Sequence, residues 1–202
     1  MPEISLNILD VTENSIKADA DEIIISISVG TKGEMKEGDG SFRGQEDTRE
    51  DTLTIKITDN GKGMTPEQLE KVQDPFYTTR TTRKVGLGVP FLKQAAESTE
   101  GTFKIDSEVG KGTIVEAVFK LSHIDRMPLG DITATIHTLV VFNEGIRFKY
   151  TYGVNQSQFT LDTKEFREIL GEDVSFQEPE ISKFIKEYLE TNKQEVDGDV
   201  II

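Results

Sequence analysis

Apolar and polar positions follow two different periods along the chain, and the switches between them mark its elements. Residues 3–18 (EISLNILDVTENSIKA) carry Leu6, Leu9 and Ile16 at helical spacing with no Gly or Pro among them, which predicts a helix. The period then changes to two: Ile23, Ile25, Ile27 and Val29 alternate with Ile24, Ser26 and Ser28, as in a strand with one buried face. The same alternation returns over 52–58, with Leu53, Ile55 and Ile57 on one side. Between these strands, about residues 30–51 are rich in Gly and charge without apolar anchors, and are expected to form a mobile acidic loop. Thr65-Pro66-Glu67 supplies an N-cap, a first-position proline and a first-turn acid, predicting a short helix to about Val72. Residues 73–88 have no clean period and read as a loop; 89–99 read as a helix; 102–107 and 113–121 read as strands joined by Gly110-Lys111-Gly112. Hairpin-linked strands with helices between the pairs predict an α+β class, a two-layer α/β sandwich with helices on one face of a mixed sheet.

From Ser122 onward the style repeats without the glycine clusters. Strands are expected at 131–142 and 146–153, joined by Asn143-Glu144-Gly145, and at 157–161. Thr163 is expected to cap a helix to about Leu170, and 179–191 to form another with Ile181, Phe184, Ile185, Tyr188 and Leu189 as its apolar face. On this reading residues 1–121 form one domain, 122–192 a small α+β domain suited to partner binding or dimerisation, and 193–202 a frayed acidic tail.

Composition narrows the function. The chain has 37 acidic and 23 basic residues, a net charge of -14 at pH 7, so neither nucleic acid nor an anionic membrane surface is an expected partner. Zero cysteines exclude disulfides, thiolate metal sites and cysteine nucleophiles, and two histidines leave little for histidine-rich metal or triad chemistry. No apolar run approaches the roughly 20 residues of a bilayer span, and Met1-Pro2-Glu3-Ile4 lacks an export signal, so a cytoplasmic location is expected.

Candidate chemistry starts on the first helix, where Asp10, Asn14 and Lys17 are spaced i, i+4, i+7 and share one face. A carboxamide oxygen suits Mg²⁺, an ammonium suits phosphate oxygens, and a carboxylate can orient a nucleophile. Alone, such a column is an ordinary solvated face. Asp59, however, ends a strand and is followed by Gly61 and Gly63, which let a flat ligand approach a carboxylate able to accept from a purine amino group. Gly86-Leu87-Gly88 opens a helix whose free amides suit anions.

Taken together and in this order, the motifs resemble the ATPase superfamily of gyrase B, Hsp90, histidine kinases and MutL over residues 4 to about 121. ENSIKADADEIIISI resembles the N-box and its following strand, DNGKGM the G1 box, DPFYTTR the F-box, GLGVPFLKQAAE the G2 box, and EVGKGTIVEAVF the last box and closing strand. The resemblance implies a Bergerat-type ATP-binding fold that takes ATP and Mg²⁺. It implies that Asn14 ligates Mg²⁺, Lys17 contacts phosphate and Asp59 accepts from the adenine amino group, with Thr113 supporting Asp59. Gly61, Gly63 and Met64 would line the base pocket, and Gly86, Leu87 and Gly88 would wrap the phosphates. Phe76 would anchor a lid that carries Thr78, Arg80, Arg83 and Lys84 over the triphosphate. Asp10 occupies the general-base position, where other groups have Glu or Asn; its side chain is one methylene shorter than Glu, so slow turnover is expected.

Only three residues precede the first helix, so no phosphoacceptor hairpin is expected within this chain, and His123 and His137 are expected to be packed or surface residues. The resulting expectation is a regulatory protein kinase, similar to the anti-sigma kinases, that phosphorylates a partner protein. The alternative is an ATP-operated conformational switch with slow hydrolysis and no phosphotransfer.

Overall fold

The computed structural model describes residues 3–31, 51–74, 87–171 and 174–198. In chain order the elements are α1 (Ile4–Lys17), β1 (Glu22–Gly30), β2 (Thr52–Asp59), α2 (Pro66–Val72), α3 (Gly88–Glu97), β3 (Thr102–Glu108), β4 (Gly112–Lys120), α4 (Ile132–Phe142), β5 (Arg147–Val154), β6 (Ser157–Asp162), α5 (Thr163–Leu170) and α6 (Pro179–Asp197). The expected α+β architecture is present: a six-stranded mixed sheet in the order β3-β4-β2-β1-β5-β6, antiparallel except for the parallel pair β1–β5.

Period two fixes the register. Ile25 stands opposite Ile57 on one side and Tyr150 on the other, and Ile57 opposite Val115, so the buried positions of four strands form one row under the helices. Slipping any strand by one residue would turn that row toward solvent, at roughly 1.5–3 kcal/mol for each large side chain exposed. Residues 122–192, expected as a unit of their own, contribute β5 and β6 to this same sheet, because β1 offers β5 an unpaired edge.

Several elements differ from the sequence reading. Residues 132–142, expected as a strand, form α4: the Asp131 side chain accepts from the Ala134 N–H at 2.8 Å, and Ile132, Ile136, Leu139 and Val140 recur at helical spacing. Its β-branched residues imitate a strand, and because its exposed stripe is Ala134, Thr138 and Phe142, with one polar side chain among them, the helical period is hidden. On α1 the buried face is Ile4, Ser5, Ile8, Val11, Thr12 and Ser15, whereas Leu6 is 52% exposed. The cap of α5 is Asp162, not Thr163, since its carboxylate accepts from the Lys164 N–H. Residues 193–197, expected as part of a frayed tail, are the last turn of α6, where the Tyr152 hydroxyl donates to Asp197 at 2.5 Å and Lys193 pairs with Asp197.

The start of α1 has no side-chain cap; instead the Ile4 and Ser5 N–H groups donate to the carbonyls of Pro128 (3.0 Å) and Leu129 (2.9 Å). The strap that follows β4 thus satisfies donors that a helix N-terminus leaves open. Among the described residues no helix is long and apolar enough to cross a membrane.

Candidate functional site

Strand alternation carries Asp59, at the end of β2, onto the helix-covered face beside Thr113 of β4, its register partner. Asp59 is only 7% exposed, and a buried carboxylate needs donors. Three are present: the N–H groups of Gly61 (2.9 Å) and Thr113 (3.2 Å) reach Oδ1, and the Ser15 hydroxyl reaches Oδ2 at 2.6 Å. A carboxylate has about four acceptor positions, so Oδ2 retains room for one more donor.

The turn after Asp59 is clamped from three sides. Asn60 Oδ1 accepts from the Asp21 and Glu22 N–H groups, each at 2.9 Å, and the Lys62 N–H donates to the Ala18 carbonyl at 2.9 Å. The Gly110 N–H donates to the Lys62 carbonyl at 2.8 Å. Gly63 adopts φ +65°, and a Cβ there would stand 2.0 Å from the Glu108 carbonyl oxygen, so only glycine lets the turn meet the β3–β4 hairpin. The Met64 N–H donates to Ser107 Oγ at 2.9 Å.

On α1, Asp10 and Lys17 are exposed and Asn14 is half-buried, with the three on the expected face. Lys17 Nζ rests on Glu13 at 2.8 Å, a surface pair of i,i+4 spacing. Partial desolvation, then the Glu13 carboxylate, push the Asp10 carboxyl above its ordinary range, with Lys17 pulling the other way. Leu87 and Gly88 begin α3 against this helix: a Cβ on Gly88 would lie 2.6 Å from Asp10 Cβ. Phe76, Thr78, Arg80, Arg83, Lys84 and Gly86 lie outside the described residues. The fold therefore brings Asp59, Gly61, Gly63, Met64 and Thr113 together at the end of the sheet, and Leu87 and Gly88 against the Asp10 turn of α1.

Thr113 supports Asp59 through its backbone N–H, while its hydroxyl is 2.9 Å from Ser107 Oγ. Two residues of this site went unread in the sequence, Ser15 and Ser107. Both become visible only in the fold: Ser15 follows Asn14 on the buried side of α1, and Ser107 is the register partner of Thr113. Among the described residues no cluster of three or more His, Asp or Glu could hold a metal. His137 packs, with Nε2 3.0 Å from the Ser182 carbonyl and hydroxyl oxygens. A polar hollow between the start of α4 and the end of α6 lies apart from the site, and its Lys193 and Asp197 satisfy each other.

Comparison with known proteins gives a concordant result. Residues 3–123 match the family described as histidine kinase-, DNA gyrase B-, and HSP90-like ATPase. The chain is similar to sporulation kinase C of Bacillus subtilis (strain 168), 37% identical over 67 residues that are 33% of this chain and 15% of that kinase. It is also similar to sporulation kinase E of the same organism, 32% identical over 93 residues, 46% of this chain and 12% of that kinase. The matches thus span less than one sixth of either kinase. A crystal structure of the N-terminal domain of a DNA repair protein shares the fold at a TM-score of 0.54 and 15% identity, covering 98% of this chain and 58% of that one. More than half of the chain matches the family over the segment that contains α1, the Asp59 turn and the β3–β4 hairpin, and the chain belongs to the histidine kinase-, DNA gyrase B- and HSP90-like ATPases.

Proposed function

We propose that this protein binds Mg-ATP and transfers its γ-phosphoryl group to a Ser or His of a regulatory partner protein. The observation that carries the nucleotide reading is the Asp59 cradle: a buried carboxylate, held by Ser15, Gly61 and Thr113, with one acceptor position left for an adenine amino group. Gly61, Gly63 and Met64 line the base side, while Lys17 and the turn at Leu87 and Gly88 serve the phosphates. The same role is assigned to Gly86, and the lid role to Phe76, Thr78, Arg80, Arg83 and Lys84. Kinases among the relatives support phosphotransfer as the reaction.

A magnesium ion fits the described residues through Asn14. Among them no acidic or histidine cluster supplies a cage, and Asn14 offers a half-buried carboxamide with no side-chain partner among them. Mg²⁺ is commonly held by one or two protein oxygens with phosphates and waters completing its shell, so Asn14 would hold an ion that arrives with the nucleotide and neutralises phosphate charge. Asp10, whose carboxyl is raised above its ordinary value by burial and Glu13, would take the proton of the acceptor as its oxygen or nitrogen bonds to the γ-phosphorus and ADP departs.

One observation favours a second reading, an ATP-operated switch. Because α1 is fastened at its start to Pro128 and Leu129, a shift of α1 on nucleotide binding would pull on the strap leading to α4. Incubation with γ-labelled ATP and candidate partner proteins separates the two: a labelled partner is expected for the kinase, and release of free phosphate alone would leave the switch. Asp10→Asn is expected to lower phosphotransfer by about 100-fold with ATP affinity retained.

A further inference from the structure

Exposed apolar side chains gather where α5 and α6 meet. Ile169 is 80% exposed and Phe184 51%. Phe166, one turn before Ile169 on α5, links the two helices: its ring centroid lies 6.1 Å from that of Phe184 and 5.5 Å from that of Tyr188, edge-on to the latter. Phe184 and Tyr188 are themselves neighbours on α6, with centroids 6.5 Å apart. The four side chains form one continuous platform rather than scattered single residues, and a platform of this kind marks an interaction site. It is also preformed, because Arg167 pairs with Glu144 at 2.7 Å and lies over the Phe176 ring, 3.9 Å from its centroid, which ties α5 to the turn after α4.

Charge around the platform has one prevailing sign. Glu165 stands one turn before Ile169, Glu180 and Glu187 stand one turn to either side of Phe184, and all three are exposed. The cation beside them, Lys183, is shared with Glu187 at 3.6 Å. Lys164 and Lys186 lie about 140° and 160° around their helices from Ile169 and Phe184, away from the platform. We propose that this face docks an amphipathic helix of a partner protein, whose apolar stripe covers Phe166, Ile169 and Phe184 and whose flanks carry Lys or Arg opposite Glu165, Glu180 and Glu187. A second copy of the chain would set the same carboxylates against one another in a two-fold contact, and an anionic lipid surface would meet its own sign, so the charge pattern selects a basic protein segment. The face lies outside residues 3–123, which match the ATPase family, and the inference is independent of the nucleotide reading.

The test is fluorescence anisotropy of the whole chain with three labelled peptides of about 18 residues: a helix with a Leu stripe and a Lys polar face, the same stripe with a Glu polar face, and the Lys peptide with its leucines scrambled. Wild type is expected to bind the Lys-faced helix at least about tenfold more tightly than either of the others. Combining Ile169→Ser with Phe184→Ser is expected to weaken that binding at least about tenfold, with the circular dichroism spectrum unchanged. Combining Glu165→Lys with Glu180→Lys is expected to shrink the preference for the Lys-faced over the Glu-faced helix by at least about tenfold. Equal binding of the Lys-faced helix by wild type and the serine variant would mean attraction to the acidic chain at large and overturns the proposal, as does failure of wild type to bind it. Sedimentation equilibrium addresses the other occupant: a wild-type dimer that the serine variant splits overturns the proposal in favour of a second copy. Should the serine variant fail to fold, Ile169→Ser alone and the lysine variant decide the matter, and unchanged binding in the first or an unchanged preference in the second overturns it equally.

Discussion

Replacing Asp59 by Asn tests the site at its centre. The amide keeps one oxygen, which can still accept from the Gly61 and Thr113 N–H groups now received by Oδ1. The second position becomes NH₂, and the Ser15 hydroxyl, which donates to Oδ2 at 2.6 Å, can rotate to accept from it. All three contacts survive in neutral form. The folding cost is therefore the loss of charge assistance alone, about 1–2 kcal/mol. Ligand binding fares worse, because the position left open on Oδ2 changes from acceptor to donor and would meet the amino group of adenine head-on. Loss of that hydrogen bond with two donors left facing costs about 2–4 kcal/mol, or about 30- to 1000-fold in Kd. Thermal melting gives the first quantity and calorimetry with Mg-ATP the second. A folded Asp59→Asn variant that binds ATP within threefold of wild type would refute the assignment of this carboxylate to the base.

Three further predictions concern the frame around the site. Burial raises the Glu144 carboxyl, but hydrogen bonds from Ser175, Arg167, the Phe176 N–H and Gln177 outweigh it and hold the group down to about 2. Because the folded value lies below the unfolded one, its stabilisation is complete above about pH 4.5 and fades as pH falls toward 2. Glu144→Gln is expected to lower stability by about 1–2 kcal/mol at pH 7, after discounting for solvent screening; equal urea midpoints at pH 7, or a gap undiminished at pH 3, would count against it. Thr12 Oγ1 is fully buried with no hydrogen-bond partner among the described residues, so Thr12→Val is expected to raise the melting temperature by about 2–5 °C; a lower one would show that the hydroxyl has a partner such as ordered water. Gly63→Ala places a Cβ 2.0 Å from the Glu108 carbonyl oxygen at φ +65°, and is expected to cost at least about 2 kcal/mol and to weaken ATP; unchanged melting would mean that the hairpin yields freely.

The parts of the fold legible in the sequence were those where one physical signal dominated. In β1 and β2 each inward position except Asp59 is a branched apolar residue and most outward ones are polar, so period and propensity agree. In α4 they conflict: Ile132, Thr133, Thr135, Ile136, Val140 and Val141 have strand propensity, and the exposed stripe of Ala134, Thr138 and Phe142 has one polar side chain among them, which hides the 3.6 period. Sheet membership was illegible for a different reason. Parallel pairing of β5 with β1 joins residues more than 120 apart, and no local pattern distinguishes a strand that extends an existing sheet from one that starts another.

The site divides along the same physical line. Residues expected to touch the ligand stand out as motifs because glycine and carboxylate are unusual in strand ends: Asp59 and Gly63 are explained only by what approaches them. The residues that hold those groups in place do not stand out, since a serine on a buried helix face or on a strand is ordinary composition. Ser15 acquires meaning only when β2 brings Asp59 within 2.6 Å, and Ser107 only when the turn at Gly63 comes close enough for the Met64 N–H to reach it. Each hydroxyl is in effect an answer to an unpaired polar group that folding creates and that the linear chain does not contain. Such supporting groups become legible once every donor and acceptor in the folded site is assigned its partner.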